Sequence, residues 1–180
     1  NDFSAFYASG LKDRSLLTGS FRDDGWGWRA PGAAKKHWFV ARCCQWLWEG
    51  HIVPGVLAVS RAYLLTGEAV YARKAAVMLG RIADVYPEMD YRRQSMYATE
   101  FSPSYTGKIS TLIHENPLAI QLCEAYDNVS DLVPGDERLD MHVRENLVRE
   151  VIRGVCDGHI RGNYGSHQLT LLTAAFVIGE

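Results

Sequence analysis

Residues 159–179 read HIRGNYGSHQLTLLTAAFVIG, a polar, hydrogen-bonding run followed by an apolar segment. If the apolar segment is a helix, Leu169 and Phe176 fall on one face and Leu171 and Ile178 on another. A helix that is apolar on both sides is typically buried between neighbouring elements. The pattern therefore predicts a buried helix whose first turn opens from the interior toward a cavity.

Four polar side chains gather at the predicted start of this helix. Asn163 and His167 are four residues apart, as are Tyr164 and Gln168, so each pair projects to one side of an early helical turn. Unpaired N–H groups and partial positive charge make a helix start a natural place to hold an anion. The alternative is structural: Asn163 or Ser166 caps the helix, and His167 packs as a core histidine. The residues alone leave both interpretations open.

Helical periodicity also dominates the rest of the chain. The region 136–156 is the clearest case, with apolar residues at four-residue steps and charges opposite. The connection at Gly67 between two predicted helices is very short, so these helices must pack as an antiparallel hairpin. Strand signals are nearly absent. The other predicted helices span 2–11, 33–50, 51–66, the stretch from Gly67 to Pro87, and 109–128 with a bend at Pro117.

These features together predict an all-α fold. Fully apolar helices alternate with amphipathic ones, which suits a two-layered ring of helical hairpins with the apolar helices in the inner layer. The region 87–108 is irregular, polar and aromatic, and a loop of this length in a helical domain is usually functional or disordered.

Composition narrows the classes of partner. The 180 residues suffice for one domain with a sizeable core, and 47% apolar with 22% charged residues is ordinary for a globular protein. A net charge of −2 without a basic run argues against a nucleic-acid partner. No apolar stretch reaches the roughly 18 residues of a membrane span. The four cysteines show no CxxC pattern, and no HExxH or comparable spacing predicts a metal site.

Both ends of the sequence suggest part of a longer protein. The chain begins at Asn1 without Met or a signal peptide, and the final apolar helix reaches Gly179 without an evident cap. We therefore expect residues 1–180 to form a single partial domain.

Aromatic residues near the N-terminus are candidate ligand contacts. Trp26 and Trp28 lie in a glycine-rich loop, and His37 and Trp38 follow shortly after it. These rings either form a platform for a sugar or seal the end of a helical core, and the sequence favours neither.

His114 and Tyr105 are further candidates. His114 comes just before the helix-bending Pro117, so its ring either faces a cavity or caps a helix. Tyr105 belongs to the polar, aromatic region 87–108.

Several of these motifs together resemble a known family. DGWGW at 24–28, HWFVA at 37–41, WLW at 46–48 and above all GNYGSHQ at 162–168 are similar to the heparinase II/III-like polysaccharide lyases. The resemblance implies an incomplete (α/α) toroid, normally followed by β-sandwich domains, in a periplasmic or secreted bacterial protein. Residues 1–180 would then be a single partial α/α-toroid domain.

The resemblance also implies a reaction. Such enzymes cleave acidic, uronate-containing polysaccharides by β-elimination without a cofactor, and a donor must neutralise the uronate carboxylate before the neighbouring proton can leave. Asn163 matches the neutralising position, His167 the assisting or proton-transferring group, and Tyr164 and Gln168 orienting groups. The family often has His where this chain has Tyr164. The acid/base tyrosine falls on a later segment, so we expect the isolated chain to be inactive.

Two other classes of function fit parts of the sequence. A glycoside hydrolase on an (α/α)-barrel would need two carboxylates facing one cleft, and Asp23, Asp24, Glu100 and Glu115 are the acids in irregular regions. A non-catalytic helical module would bind carbohydrate or act as a scaffold without any chemistry.

Overall fold

The computed structural model describes residues 3–10, 12–94, 105–131 and 136–179. Its regular structure is almost entirely helical, which confirms the predicted all-α class. A two-stranded antiparallel ladder, with Trp28 opposite His37, is the exception within the described residues. The helices are α1 (Phe3–Ala8), α2 (Phe39–Leu47), α3 (Val53–Thr66), α4 (Ala69–Val85), α5 (Tyr91–Gln94), α6 (Glu115–Asp127), α7 (Glu137–Val143), α8 (Arg149–Cys156) and α9 (Ser166–Ile178); the strands are β1 (Trp28–Arg29) and β2 (Lys36–His37).

Helices α2 and α3 form one continuous rod. A π-helical turn, Trp48–Ile52, joins them, so the predicted break at Gly50 is wrong. A π turn absorbs one extra residue without ending the helix, and such turns often occur at functional sites. The predicted start at residue 33 is also wrong, because β2 occupies Lys36–His37 and α2 begins only at Phe39.

The predicted hairpin of α3 and α4 is confirmed. Gly67 ends α3 in the left-handed conformation with φ of 70°, and its N–H donates to the Tyr63 carbonyl at 2.8 Å. Glycine adopts this conformation without a steric penalty, which permits a very short connection. The two helices accordingly pack closely against each other.

Helix α6 begins later than predicted. Residues 109–111 are not helical, a 3₁₀ turn covers Leu112–His114, and α6 itself starts at Glu115. Pro117 therefore lies in the first turn, where its missing N–H costs nothing, and it does not bend the helix as predicted.

The amphipathic prediction for 136–156 is confirmed, with one addition. Asp136 caps α7 by accepting the Leu139 N–H at 3.1 Å. A second π-helical turn, Arg144–Val148, then joins α7 to α8. The apolar stripe faces inward, since Val143, Leu147 and Val151 are all fully buried.

The helices form two rows. In the first row α3 contacts α6 and α6 contacts α9; in the second, α4 contacts α7. The rows touch through the pairs α3–α4 and α8–α9. One apolar core, which runs from Val53 to Ile178 along the chain, fills the space between them. Its central rings, Tyr86 and Tyr126, are almost completely buried.

Helix α9 departs from the prediction in two ways. Its inner face is buried at Thr170, Ala174 and Ile178, but Leu172 and Phe176 on the opposite face are 67% and 83% exposed. The prediction of burial on both sides is therefore wrong, because within the described residues α9 packs on one side only, against α6 and α8. The helix is also capped, since Gly179 ends it in the left-handed conformation.

The N-terminal segment is organised by a buried carboxylate. Asp23 accepts the N–H groups of Gly25 at 2.9 Å, Gly27 at 2.8 Å and Val40 at 3.1 Å, and so fastens the glycine-rich loop to the start of α2. Among the helices that the structure describes, none is long and apolar enough to cross a bilayer.

Candidate functional site

A polar cleft of about 700 Å³ lies between the α2 rod, the segment 105–114 that precedes α6, and the segment that leads into α9. This volume is in the range of small-ligand sites. Asn163, His114 and Tyr105, three residues singled out from the sequence, meet in it. The cleft is lined by Arg42, Gln45, Glu49, Tyr91, Tyr105, Ser110, Thr111, Leu112, Ile113, His114 and Asn163.

One wall of the cleft is the segment 105–111, which a buried carboxyl holds in place. Glu115 is fully buried, and its Oε2 accepts the N–H groups of Ile109 at 2.9 Å and Ser110 at 2.6 Å. The Tyr86 hydroxyl donates to Oε1 at 3.4 Å. Burial raises the pKa of Glu115 to about 7, although the hydrogen bonds oppose this shift. Glu115 thus faces the backbone of the wall rather than the cleft.

Asn116 ties the start of α6 to the segment that carries Asn163. Its side-chain amide donates to the Arg161 carbonyl at 2.7 Å and to the Leu112 carbonyl at 3.2 Å. Its Oδ1 accepts from the Thr170 hydroxyl on α9 at 2.8 Å. Asn116 and Thr170 are both buried, so these bonds form in a low-dielectric interior where leaving any of them unmade is costly. The backbone just before Asn163 is therefore held from two helices.

The first turn of α9 is capped by Gln168 rather than by Asn163. The Gln168 Oε1 accepts the Gly165 N–H at 2.9 Å, and the Asn163 backbone carbonyl accepts the Ser166 N–H at 3.0 Å. The Asn163 side chain is exposed and lines the cleft. Tyr164 is 97% exposed, and neither Tyr164 nor Gln168 lines the cleft.

His167 does not line the cleft. The residue is half-buried, and its Nδ1 is buried without a hydrogen-bond partner among the described residues. A satisfied core histidine would have a partner at this atom. The first turn of α9 therefore contains a ring nitrogen that is buried and unpaired among the described residues.

The opposite wall is a polar row on the α2 rod. Arg42 donates to the Gln45 Oε1 at 2.9 Å, and Gln45 in turn donates to the Glu49 Oε1 at 2.9 Å. A longer bond, 3.4 Å, joins the Gln45 amide to the Ser110 hydroxyl across the cleft. The row thus presents a cation at one end and a carboxylate at the other.

The aromatic candidates near the N-terminus lie apart from the cleft lining. Trp38 is 7% exposed, so burial removes it as a sugar platform, and Lys36 lies 4.2 Å from its ring centroid. Trp28 and His37 pair across β1 and β2, with ring centroids 6.1 Å apart. Trp26 is 48% exposed. Trp28 and His37 thus pack on each other and on Phe39, whereas Trp26 keeps about half of its surface exposed.

Sequence reasoning missed most of the α2 wall. Arg42, Gln45 and Glu49 recur at three- and four-residue spacing, so the signal was present as a polar stripe on a predicted helix. Ser110 and Thr111 carried no such signal, because they lie in a stretch that was predicted to be helical and is not.

The carboxylates considered for a hydrolase are engaged elsewhere. Asp23 is buried among backbone N–H groups, Asp24 pairs with Arg14, and Glu115 holds the cleft wall. Glu100 lies outside the described residues. In the described part of the lining, Glu49 is the one carboxylate, whereas glycoside hydrolysis needs two.

A search for metal ligands and three comparisons with known proteins complete the description of the site. Within residues 3–10, 12–94, 105–131 and 136–179, no group of three or more potential metal ligands occurs. Comparison with protein-family models, curated proteins and solved structures finds no match.

Gly162 provides a test of how tightly the segment before Asn163 is held. A Cβ at this position would lie 2.5 Å from the Asn116 Nδ2 and closer still to the Ser166 Oγ. We expect Gly162→Ala to lower the free energy of unfolding by about 1–3 kcal/mol, because the overpacked segment must shift. Gly50→Ala, where a Cβ meets nothing within 4 Å, is the control and should be neutral or slightly stabilising. Equal thermal stability of the two variants would contradict the packing described here.

Proposed function

We propose that this chain is the carbohydrate-binding toroid part of a polysaccharide lyase that cleaves acidic, uronate-containing polysaccharides by β-elimination. The observation that carries the proposal is the exposed Asn163 amide, which faces a polar cleft of about 700 Å³ together with Arg42, His114 and Tyr105. Hydrogen-bond donors that converge on one cleft suit an anionic sugar. The GNYGSHQ resemblance adds the reaction class.

Asn163 has the chemistry that elimination requires. Removal of the C5 proton of a uronate puts negative charge beside a carboxylate that is already negative. A donor fixed before the reaction stabilises that charge better than water, which must reorganise. The Nδ2 of Asn163 has two N–H donors and carries no charge, and the bond from Asn116 to the Arg161 carbonyl holds the preceding backbone in place.

Elimination then needs a base and an acid. The base takes the C5 proton, the electron pair forms the C4–C5 double bond, and the C4 glycosidic oxygen leaves with a proton from the acid. In this scheme His167 assists Asn163 from the first turn of α9, although its Nδ1 is buried. His114 and Tyr105 contact the sugar from the far side of the cleft. The acid/base tyrosine of the family would come from a later segment.

The helical arrangement is compatible with the proposed toroid. The row α3, α6 and α9 corresponds to an inner layer, and α4 with α7 and α8 to an outer one. In such a toroid the cleft would lie at one end of the inner layer. A periplasmic or secreted location belongs to the same proposal, since polymeric uronates are extracellular substrates.

The reaction type can be tested through its products. Full-length protein is incubated with heparan sulfate, alginate and other uronate polymers, and the ultraviolet absorbance of the unsaturated uronate is followed. We expect this absorbance to rise, and mass spectrometry to find products with an unsaturated non-reducing end. Saturated products would indicate hydrolysis instead. Binding of oligouronates without any product would indicate a non-catalytic module, and both results would contradict the lyase proposal.

A further inference from the structure

Arg42 lines the cleft without a carboxylate partner among the described residues. Arg61, Arg81 and Arg149 each pair with a carboxylate, as expected for surface cations. The Arg42 guanidinium instead donates to the neutral Gln45 amide at 2.9 Å and lies 5.1 Å from the Trp46 ring centroid. In the part of the chain that the structure describes, no carboxylate lies within 4 Å of it.

Gln45 keeps this cation oriented toward the cleft. Its Oε1 accepts from Arg42 and its Nε2 donates to Glu49, so the direction of the amide follows from the charges on either side. Glu49 is therefore near Arg42 without neutralising it. A guanidinium has five N–H donors, and the bond to Gln45 uses one of them. The remaining donors are available to a ligand.

The charges along this wall also define where an anion would lie. A negative group is attracted to the Arg42 end of the row and repelled at the Glu49 end. Ser110 and Thr111 on the opposite wall contribute hydroxyl groups to the same cleft. Because Asn163 lies in the lining as well, one ligand can reach both the amide and the guanidinium.

We propose that Arg42 binds a second acidic group of the substrate, on a sugar next to the one whose carboxylate meets Asn163. The inference rests on the proposed function for the identity of the first group. The substrate class becomes an oligosaccharide with acidic groups on neighbouring sugars, either carboxylates or sulfates. The planar guanidinium binds both through paired N–H···O bonds.

The test is equilibrium binding by calorimetry to two probes, an unsulfated oligouronate and a sulfated neutral oligosaccharide. We expect Arg42→Gln to weaken binding of at least one probe by about 10- to 100-fold, as for a lost charge-assisted hydrogen bond. Arg42→Lys retains the charge but loses the paired N–H donors of the guanidinium, so its loss of affinity should be intermediate. The probe that is affected identifies carboxylate or sulfate as the second group. Arg61→Gln, whose partner Glu124 lies away from the cleft, should bind like the wild type.

Thermal unfolding of each variant checks that the fold is retained. If Arg42→Gln does not fold, Arg42→Lys is used to measure the change in affinity. Unchanged affinity of a folded Arg42 variant for both probes would overturn the inference. The outcome is separable from that of the lyase proposal. If Arg42→Gln loses affinity while no unsaturated product forms, acidic-sugar binding at Arg42 stands and elimination fails. If product forms and Arg42→Gln binds normally, the lyase proposal stands and this inference fails.

Discussion

Replacement of Glu115 by alanine should destabilise the protein by about 3–5 kcal/mol at a pH where the carboxyl is protonated. The change leaves the N–H groups of Ile109 and Ser110 buried without an acceptor, and each such group costs about 1–3 kcal/mol. It also opens a void against Tyr86. Chemical denaturation with circular dichroism measures the loss.

Glu115→Gln is the matched variant, because it keeps the size and one carbonyl oxygen of the side chain. That oxygen can accept both backbone N–H groups while the amide nitrogen faces the Tyr86 hydroxyl. We therefore expect Glu115→Gln to retain the fold and the cleft wall. A loss as large as that of the alanine variant would contradict the assigned hydrogen bonds.

Comparison of the wild type with Glu115→Gln tests the titration of Glu115. Its pKa is about 7 in the folded protein against an ordinary value of 4.5, so between these values the folded state binds more protons than the unfolded state. The contribution of Glu115 to stability is therefore full below 4.5, falls as the pH rises, and is lost above 7. The stability of Glu115→Gln relative to wild type should rise across this window. A constant difference between the two proteins would refute the raised pKa.

Asn163→Ala should lower the rate of uronate elimination by about 100- to 1,000-fold, the usual effect of removing one donor that stabilises a developing negative charge. The loss should appear mainly in kcat, with thermal stability nearly unchanged, because the Asn163 side chain is exposed. The measurement is the initial rate of unsaturated-uronate formation in the full-length protein.

Asn163→Asp distinguishes a chemical role from a structural one. Aspartate has the same shape as asparagine, but it replaces the donor by an acceptor and adds a negative charge next to the substrate carboxylate. We expect Asp to be less active than Ala. Asn146→Ala, in the bundle at a hydrogen bond to His142, is the control and should leave the rate unchanged. Near-normal activity of Asn163→Asp would contradict the role of Asn163 as a donor to the substrate carboxylate.

The predictions for Glu115 and Asn163 depend on the same structural arrangement, in which buried polar side chains hold the walls of an exposed polar cleft. Glu115 and Asn116 are adjacent at the start of α6, yet each fastens a different wall. Glu115 holds the segment 105–111, and Asn116 holds the segment before Asn163. Loss of the hydrogen bonds of either residue should therefore disturb the cleft as well as the core.

Local sequence signals determined the helices themselves. The four-residue apolar spacing in 136–156 and the left-handed glycine at Gly67 correspond to α7–α8 and to the α3–α4 hairpin, because periodicity and backbone freedom act within a few residues. The same kind of signal placed Asn163 at the entrance of α9, next to a cavity. Local patterns could not show that α2 and α3 are continuous, since the extra residue of a π turn shifts the hydrophobic repeat and Gly50 resembles a helix end.

Only the tertiary structure decided which side chains meet. Arg42, Tyr105, His114 and Asn163 are far apart in the chain, and they share a cleft because α6 packs between α3 and α9. Burial was equally a matter of packing. The sequence offered Glu115 as an acid that could face a cleft and Phe176 as a buried residue, but Glu115 is fully buried and Phe176 is 83% exposed. The chemistry of a side chain determines which interactions it can make, whereas its neighbours from distant helices determine its exposure to solvent and its partners.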